Sequence, residues 1–208
     1  MKMDERSFTI GRMKRSDQNQ ERAAQILQAA LQCFLARGFH QTSMRDIALA
    51  AGVSLGNLYN HYPGKDALIL AAAALEDDAL APLLQRLAAS GGERAQVMQF
   101  LHDFHALCRQ SDWAMLSVEV LAESARNPSV AAAFAANRRR LQHGLGEALQ
   151  AVARRERRRP RLAPALQAQV LLDALESDAL RRGLGSAEEA ATTVLDPALL
   201  AALLGARG

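Results

Sequence analysis

Apolar residues recur at helical spacing along nearly the whole chain. Ala23, Ile26, Leu27, Ala30, Leu31, Phe34 and Leu35 form one stripe and predict a helix over residues 18–37, closed by Gly38. After Thr42 the spacing shortens. Ser43 with Asp46 three residues on makes a capping box, and Ile47, Ala48 and Ala51 give a small apolar face. Gly52 suits the left-handed position that ends such a helix, with Val53 buried in the turn. Ser54 then caps a second short helix over 55–62, which Pro63-Gly64 stops.

A longer helix starts near Lys65 with Leu68, Ile69, Ala72, Leu75 and Ala79. Pro82, lacking an N–H, bends or breaks it, and a helix boundary there is the preferred expectation. Gly91-Gly92 makes the next break. Further helices are predicted over 93–110, from Asp112 as cap to 126, over 128–155 behind Asn127-Pro128, and over 164–182. Ser186 and Glu189 cap a ninth helix, and Asp196-Pro197 opens a short last one ending at Gly205. Strand-like alternation is absent throughout. The pattern predicts an all-α protein.

A chain of 208 residues, 50% hydrophobic, can bury a sizeable core. Acids and arginines interrupt every alanine-leucine stretch before it reaches the roughly 18 residues that a membrane span needs. With no hydrophobic signal region after the first charges, the expected location is cytoplasmic. Cys33 and Cys108 then read as two buried free thiols. Charge sharpens the picture once it is located. Residues 1–66 hold nine Lys/Arg against six Asp/Glu, and the remainder holds sixteen of each, so the whole excess of +3 lies on the N-terminal third. Attraction to phosphate belongs there.

Two short helices meeting at a glycine turn form the helix-turn-helix pattern, whose second helix enters the DNA major groove. The match extends beyond that turn. The run G-F-x-x-T-S-x-x-x-I-A-x-x-A-G-V-S-x-G-N-L-Y-x-H-Y-x-x-K-x-x-L, from Gly38 to Leu68, closely resembles the DNA-binding domain of TetR/AcrR transcriptional regulators. It covers about the first third of the chain. Beyond residue 90 or so, the resemblance is only in helical character and length.

Residues 1–17 lack periodicity and are expected to be a flexible tail; the resemblance implies a helix-turn-helix domain over 18–64 and a ligand-binding and dimerisation domain over 65–208. It implies that Leu55, Gly56, Asn57 and Asn60 project toward base edges, and that Met44 and Arg45 reach bases or phosphates. Thr42, Ser43, Tyr59, His61 and Lys65 match the phosphate-contacting set, with Ser54 at the head of the reading helix. The chemistry suits these roles: asparagine can bond adenine bidentately, leucine can meet a thymine methyl, and hydroxyls and lysine donate to phosphate. Tyr59 and Tyr62 could instead be core aromatics. In the tail, Lys2, Arg6, Arg12, Lys14 and Arg15 leave a DNA-touching arm as the alternative to a solvated segment.

Other chemistry is thinner. His102, His105 and Cys108 recur every third residue and could reach a metal, but Leu101, Phe104 and Leu107 interleave with them and no CxxC or HExxH occurs, so neither a metal nor a cofactor is expected. No phosphate-cradling glycine loop, GxSxG elbow or nucleophile-base set appears, and Glu119 with Glu123 reads as a solvated helix face; no enzyme is expected. Arg138–Arg140 and the run over 154–161 read as a solvated helix end and loop. Aromatics are only 4% of the chain, yet Met98, Phe100, Phe104, Trp113, Met115, Leu116, Leu121 and Phe134 cluster over 98–134. With His102, His105, Glu119 and Asn137 as polar anchors they would line an effector cavity, the alternative being plain core.

The expected protein is therefore a homodimer pairing through its eighth and ninth helices. It would bind a near-palindromic operator in double-stranded DNA and be released by a small, largely apolar effector, with no membrane partner. An effector-independent architectural DNA-binding protein is the alternative; an all-α enzyme or lipid carrier is a third.

Overall fold

The computed structural model describes the backbone of residues 5–160 and 162–184, and side chains within 18–160 and 162–182. These form eight helices: α1 (Glu5–Arg37), α2 (Met44–Ala50), α3 (Leu55–His61), α4 (Lys65–Ala88), α5 (Arg94–Cys108), α6 (Ser111–Ser124), α7 (Pro128–Arg155) and α8 (Pro164–Leu184). No strand occurs among the described residues, and the fold is all-α as expected. The expected ninth and terminal helices lie outside the described residues. The chain divides into two compact units, Met1–Ala72 and Ala73–Gly208.

In the first unit α1 starts at Glu5, thirteen residues before the expected helix start at 18, so most of the stretch expected to be a tail is helical. Between Glu5 and Gln18 there is no proline and Gly11 is the single strongly unfavourable helix residue, so α1 extends through this stretch without any periodic signal. Ile26, Ala30, Phe34, Ile47, Leu58 and Leu68, from α1 to α4, are at most 1% exposed. Phe34 meets Phe39 edge-on at 5.2 Å. Helices of seven residues are too short to persist alone, so α2 and α3 hold their shape through this shared core. Burying each large aliphatic side chain contributes about 1.5–3 kcal/mol.

The second unit is a bundle of the later turns of α4 with α5 to α8. Its core runs through Leu80, Leu87, Leu101, Phe104, Leu145, Leu171, Leu172 and Leu175. Pro82 does not end α4, contrary to the expected boundary: it lies inside the helix, which continues to Ala88. The cost of its missing N–H is offset by neighbours on the buried face, Leu80, Leu83 and Leu87, which anchor both sides of the proline. Nor is Asp112 a cap. α6 starts one residue earlier behind Gln110, and Asp112 sits in the first turn, where a carboxylate suits the positive helix end. Asn127 does cap α7, its Oδ1 accepting from the N–H groups of Ser129 at 3.1 Å and Val130 at 3.3 Å.

The α4–α5 connection passes close to α7 at Gly92. Its φ is +79°, and a Cβ there would lie 2.7 Å from the carbonyl carbon of Ala151. At the far end of α7, Arg157 takes φ +53° while the Arg158 N–H bonds the Ala153 carbonyl at 2.9 Å. Arg94 and Glu156 close this corner with two parallel hydrogen bonds of 2.9 and 2.6 Å.

Candidate nucleic-acid interface

The turn between α2 and α3 is built by local chemistry. Ser43 Oγ accepts from the Asp46 N–H at 3.2 Å, and the Ser43 N–H donates to Asp46 Oδ2 at 2.9 Å. Hydrogen bonds from the Ser43 side chain and backbone, with Arg37 nearby, hold the Asp46 carboxyl below the usual carboxylate range. Gly52 takes φ +64°, which a residue with a Cβ rarely adopts, and the Val53 N–H closes the turn on the Ala48 carbonyl at 3.0 Å. Val53 is half-buried there. Ser54 Oγ accepts from the Asn57 N–H at 3.1 Å and starts α3.

Successive helical residues turn by about 100°. Leu58 is the buried pole of α3 and fixes its orientation. Gly56 and Asn60 then face directly outward, both exposed. Leu55 and Tyr59 flank that outward line on one side, at 37% and 47% exposure. Asn57 and His61 flank it on the other and are half-buried. A Cβ added at Gly56 would meet nothing within 4 Å. Tyr62 is the aromatic that packs inward: its hydroxyl donates to the Ala23 carbonyl at 3.1 Å, and burial raises its pKa.

Several residues expected to face phosphate have structural tasks. Thr42 is 1% exposed, and its hydroxyl lies 2.8 Å from the Gly38 carbonyl and 3.1 Å from that of Cys33. The Ser43 hydroxyl donates to Asp46 at 2.6 Å. Lys65 Nζ donates to the carbonyls of Phe39 at 2.8 Å and His40 at 3.3 Å, and stands 4.6 Å from the centre of the Phe39 ring. On α2, Arg45 is exposed and Met44 half-buried.

Between α1 and α3 lies a groove of about 610 Å³ that sequence reasoning misses. Gln18, Asn19, Glu21 and Arg22 line it from α1, and Asn57 and His61 from α3. Asn57 Oδ1 is enclosed and meets no hydrogen-bond donor of the protein. The available signal was a polar recurrence at Gln18, Arg22 and Gln25, which reads as an ordinary solvated face.

In the second unit the expected pocket residues divide. Phe100 and Phe104 are core, stacked at 6.1 Å, and Met98 and Trp113 are partly buried against that core. Leu116, Glu119 and Phe134 are half-buried; His102 and Met115 are exposed. His105 is 4% exposed and its Nε2 lies 2.8 Å from Asp178 Oδ2. Asn137 donates to the Ala73 carbonyl at 2.8 Å and to Glu76 at 2.6 Å. Arg138 and Arg140, expected to be solvated, pair with Asp173 and Glu176, and with Asp77, respectively. Burial raises the Glu76 carboxyl and pushes that of Glu176 up to about 7. Cys108 is a buried free thiol, its pKa pushed up by burial and by Glu176 and Glu76. Among the described residues no group of three or more His, Cys, Asp or Glu is placed to hold a metal, and no described helix is long and apolar enough to cross a membrane.

A capped short helix, a glycine turn and a second short helix offering polar and apolar groups outward define a helix-turn-helix reading head. Residues 26–72 match the pattern of bacterial regulatory proteins of the tetR family. Residues 26–72 thus carry the N-terminal DNA-binding domain of that family. Over 108 residues it is 35% identical to the transcriptional regulator UidR of Escherichia coli K12, a match covering 51% of this chain and 54% of UidR. The chain thus spans about half the length of the curated relatives it matches. Among solved structures, Salmonella enterica GusR superposes with a TM-score of 0.71 at 24% identity, covering 89% of this chain and 94% of GusR. Bacillus subtilis FadR, solved with stearoyl-CoA, gives 0.66 at 16% identity over 89% of this chain and 99% of FadR. Both share its fold.

Proposed function

We propose that the protein is a homodimeric transcriptional repressor that binds a near-palindromic operator and is released by a small, largely apolar effector. The observation that carries this is the outward face of α3, where Gly56 and Asn60 stand clear between Leu55, Tyr59 and Asn57 on a helix locked by buried Leu58. Residues 18–64 act as the DNA-reading domain and 65–208 as the effector and dimerisation domain. Leu162, Leu166 and Val170 are 38–46% exposed at and along α8, an apolar face suited to pairing with a second copy. A two-fold dimer presents two copies of α3, so operator half-sites lie about 34–36 Å apart or a multiple of that.

The effector reading rests on the aromatic and methionine side chains of α5 and α6. A chain of this fold, FadR, is seen with an acyl-CoA. A ligand that prefers one conformation by about 1.4 kcal/mol shifts the equilibrium tenfold. The burial of Phe100, Phe104 and His105 in the packed core favours the effector-independent alternative, in which binding to DNA ignores small molecules.

Binding to DNA selected from a random pool, followed across a salt series, tests the main reading. Tight and salt-steep binding to one short near-palindrome, lost in a Tyr59→Ala/Asn60→Ala variant, is the expected result. The same selected duplex then reports effector release. Binding indifferent to sequence, or to that double substitution, would refute the repressor reading.

A further inference from the structure

We propose that the groove between α1 and α3 seats the sugar–phosphate backbone of one DNA strand, making Gln18, Asn19 and Arg22 of α1 part of the reading head. The inference rests on the DNA-binding reading above and extends it to residues outside the helix-turn-helix.

The geometry follows from the size of the helix. A helix with its side chains is about 10–12 Å across, and the major groove is about 12 Å wide, so an inserted helix is flanked by both strands. With Gly56 and Asn60 toward the base edges, one backbone runs along the Leu55–Tyr59 flank. The other must run along the Asn57–His61 flank, and that flank is one wall of the groove. Its opposite wall carries Gln18, Asn19 and Arg22, neutral and cationic donors suited to phosphate and sugar oxygens. Arg22 uses one N–H on Gln25, at 2.9 Å, and has others to offer.

Asn57 supplies an independent observation. An enclosed amide oxygen without a donor is a rare and costly arrangement. A strand in the groove would favour turning the Asn57 side chain out of this enclosed position, so that its amide meets a partner group or a bridging water. Glu21 on the same wall opposes phosphate, which fixes the sign of its substitution.

The test uses the full chain and the tightest duplex selected from a random pool by the parent protein. Arg22→Ala is expected to weaken binding roughly three- to tenfold and to lower the salt slope by about one. Glu21→Gln is expected to strengthen binding about two- to threefold at low salt, with the gain fading as salt screens it. Circular dichroism confirms that both variants stay folded. If Tyr59→Ala/Asn60→Ala loses the duplex while Arg22→Ala and Glu21→Gln bind as the parent does, the groove proposal is overturned and the repressor reading stands. If the parent selects no duplex at all, the DNA-binding reading fails and this inference with it.

Discussion

His105 on α5 and Asp178 on α8 face each other in the interior of the second unit, Nε2 to Oδ2 at 2.8 Å, with both side chains at most 5% exposed. Burial drives the Asp178 carboxyl up, but hydrogen bonds from Arg182 and His105 outweigh it and hold the group below its ordinary value. Removing either partner leaves a buried polar group poorly satisfied. Asp178→Ala should therefore cost about 3 kcal/mol in urea unfolding, and His105→Leu somewhat less because Arg182 still pairs with the carboxylate. The double variant His105→Leu/Asp178→Ala should lose less than the sum of the two single losses. Strict additivity would show that the pair is not energetically coupled.

Arg94 and Glu156 give a pH dependence. The two hydrogen bonds from Arg94 are the main reason the Glu156 carboxyl lies below its ordinary value of 4.5. A depressed folded-state pKa contributes stability that is present above the unfolded pKa and is lost as pH falls through the folded one. Arg94→Ala should thus cost about 1 kcal/mol at pH 7 and progressively less below pH 4.5. Unfolding of parent and variant at pH 7 and pH 3 measures the difference, and a gap that stays constant between the two would contradict the assignment.

Arg157 and Gly92 make opposite predictions from the same backbone region. Arg157 holds φ +53° with a side chain, at a cost of about 1–2 kcal/mol, so Arg157→Gly should raise stability by up to about 1 kcal/mol. Gly92→Ala should do the reverse, lowering the melting temperature, because strain at φ +79° adds to a Cβ pressed against the Ala151 backbone. Thermal unfolding that ranked the two variants the other way round would refute both accounts.

The helix-turn-helix was legible because its determinants are local: Ser43 with Asp46, Gly52 and Ser54 act within four residues of their partners. What the sequence could not display were contacts closed by the fold. His105 and Asp178 are 73 residues apart, and nothing in either neighbourhood marks them as a pair rather than as a pocket anchor and a surface acid. Thr42 and Lys65 matched a phosphate-contacting pattern, and what the pattern did not display is that the carbonyls of Cys33 and Gly38 face the Thr42 hydroxyl while those of Phe39 and His40 take two of the three Lys65 donors. Pro82 carried a correct local rule that burial of Leu80 and Leu87 overrode. The α1–α3 groove was hidden for a different reason: amides and charges on a helix look alike whether they face water or a ligand.

Gly56 offers a clean separation of two kinds of selection. It is the second residue of α3, where alanine would be favoured by up to about 1 kcal/mol, and no atom of the protein stands in the way of a methyl group. The chain by itself has every reason to carry alanine there. Gly56→Ala should accordingly melt at a higher temperature than the parent, and any loss of duplex binding in that variant would measure how closely the backbone of α3 must approach DNA. At this one position the tolerance of the fold and the demands of the partner can be read independently, from a single methyl group.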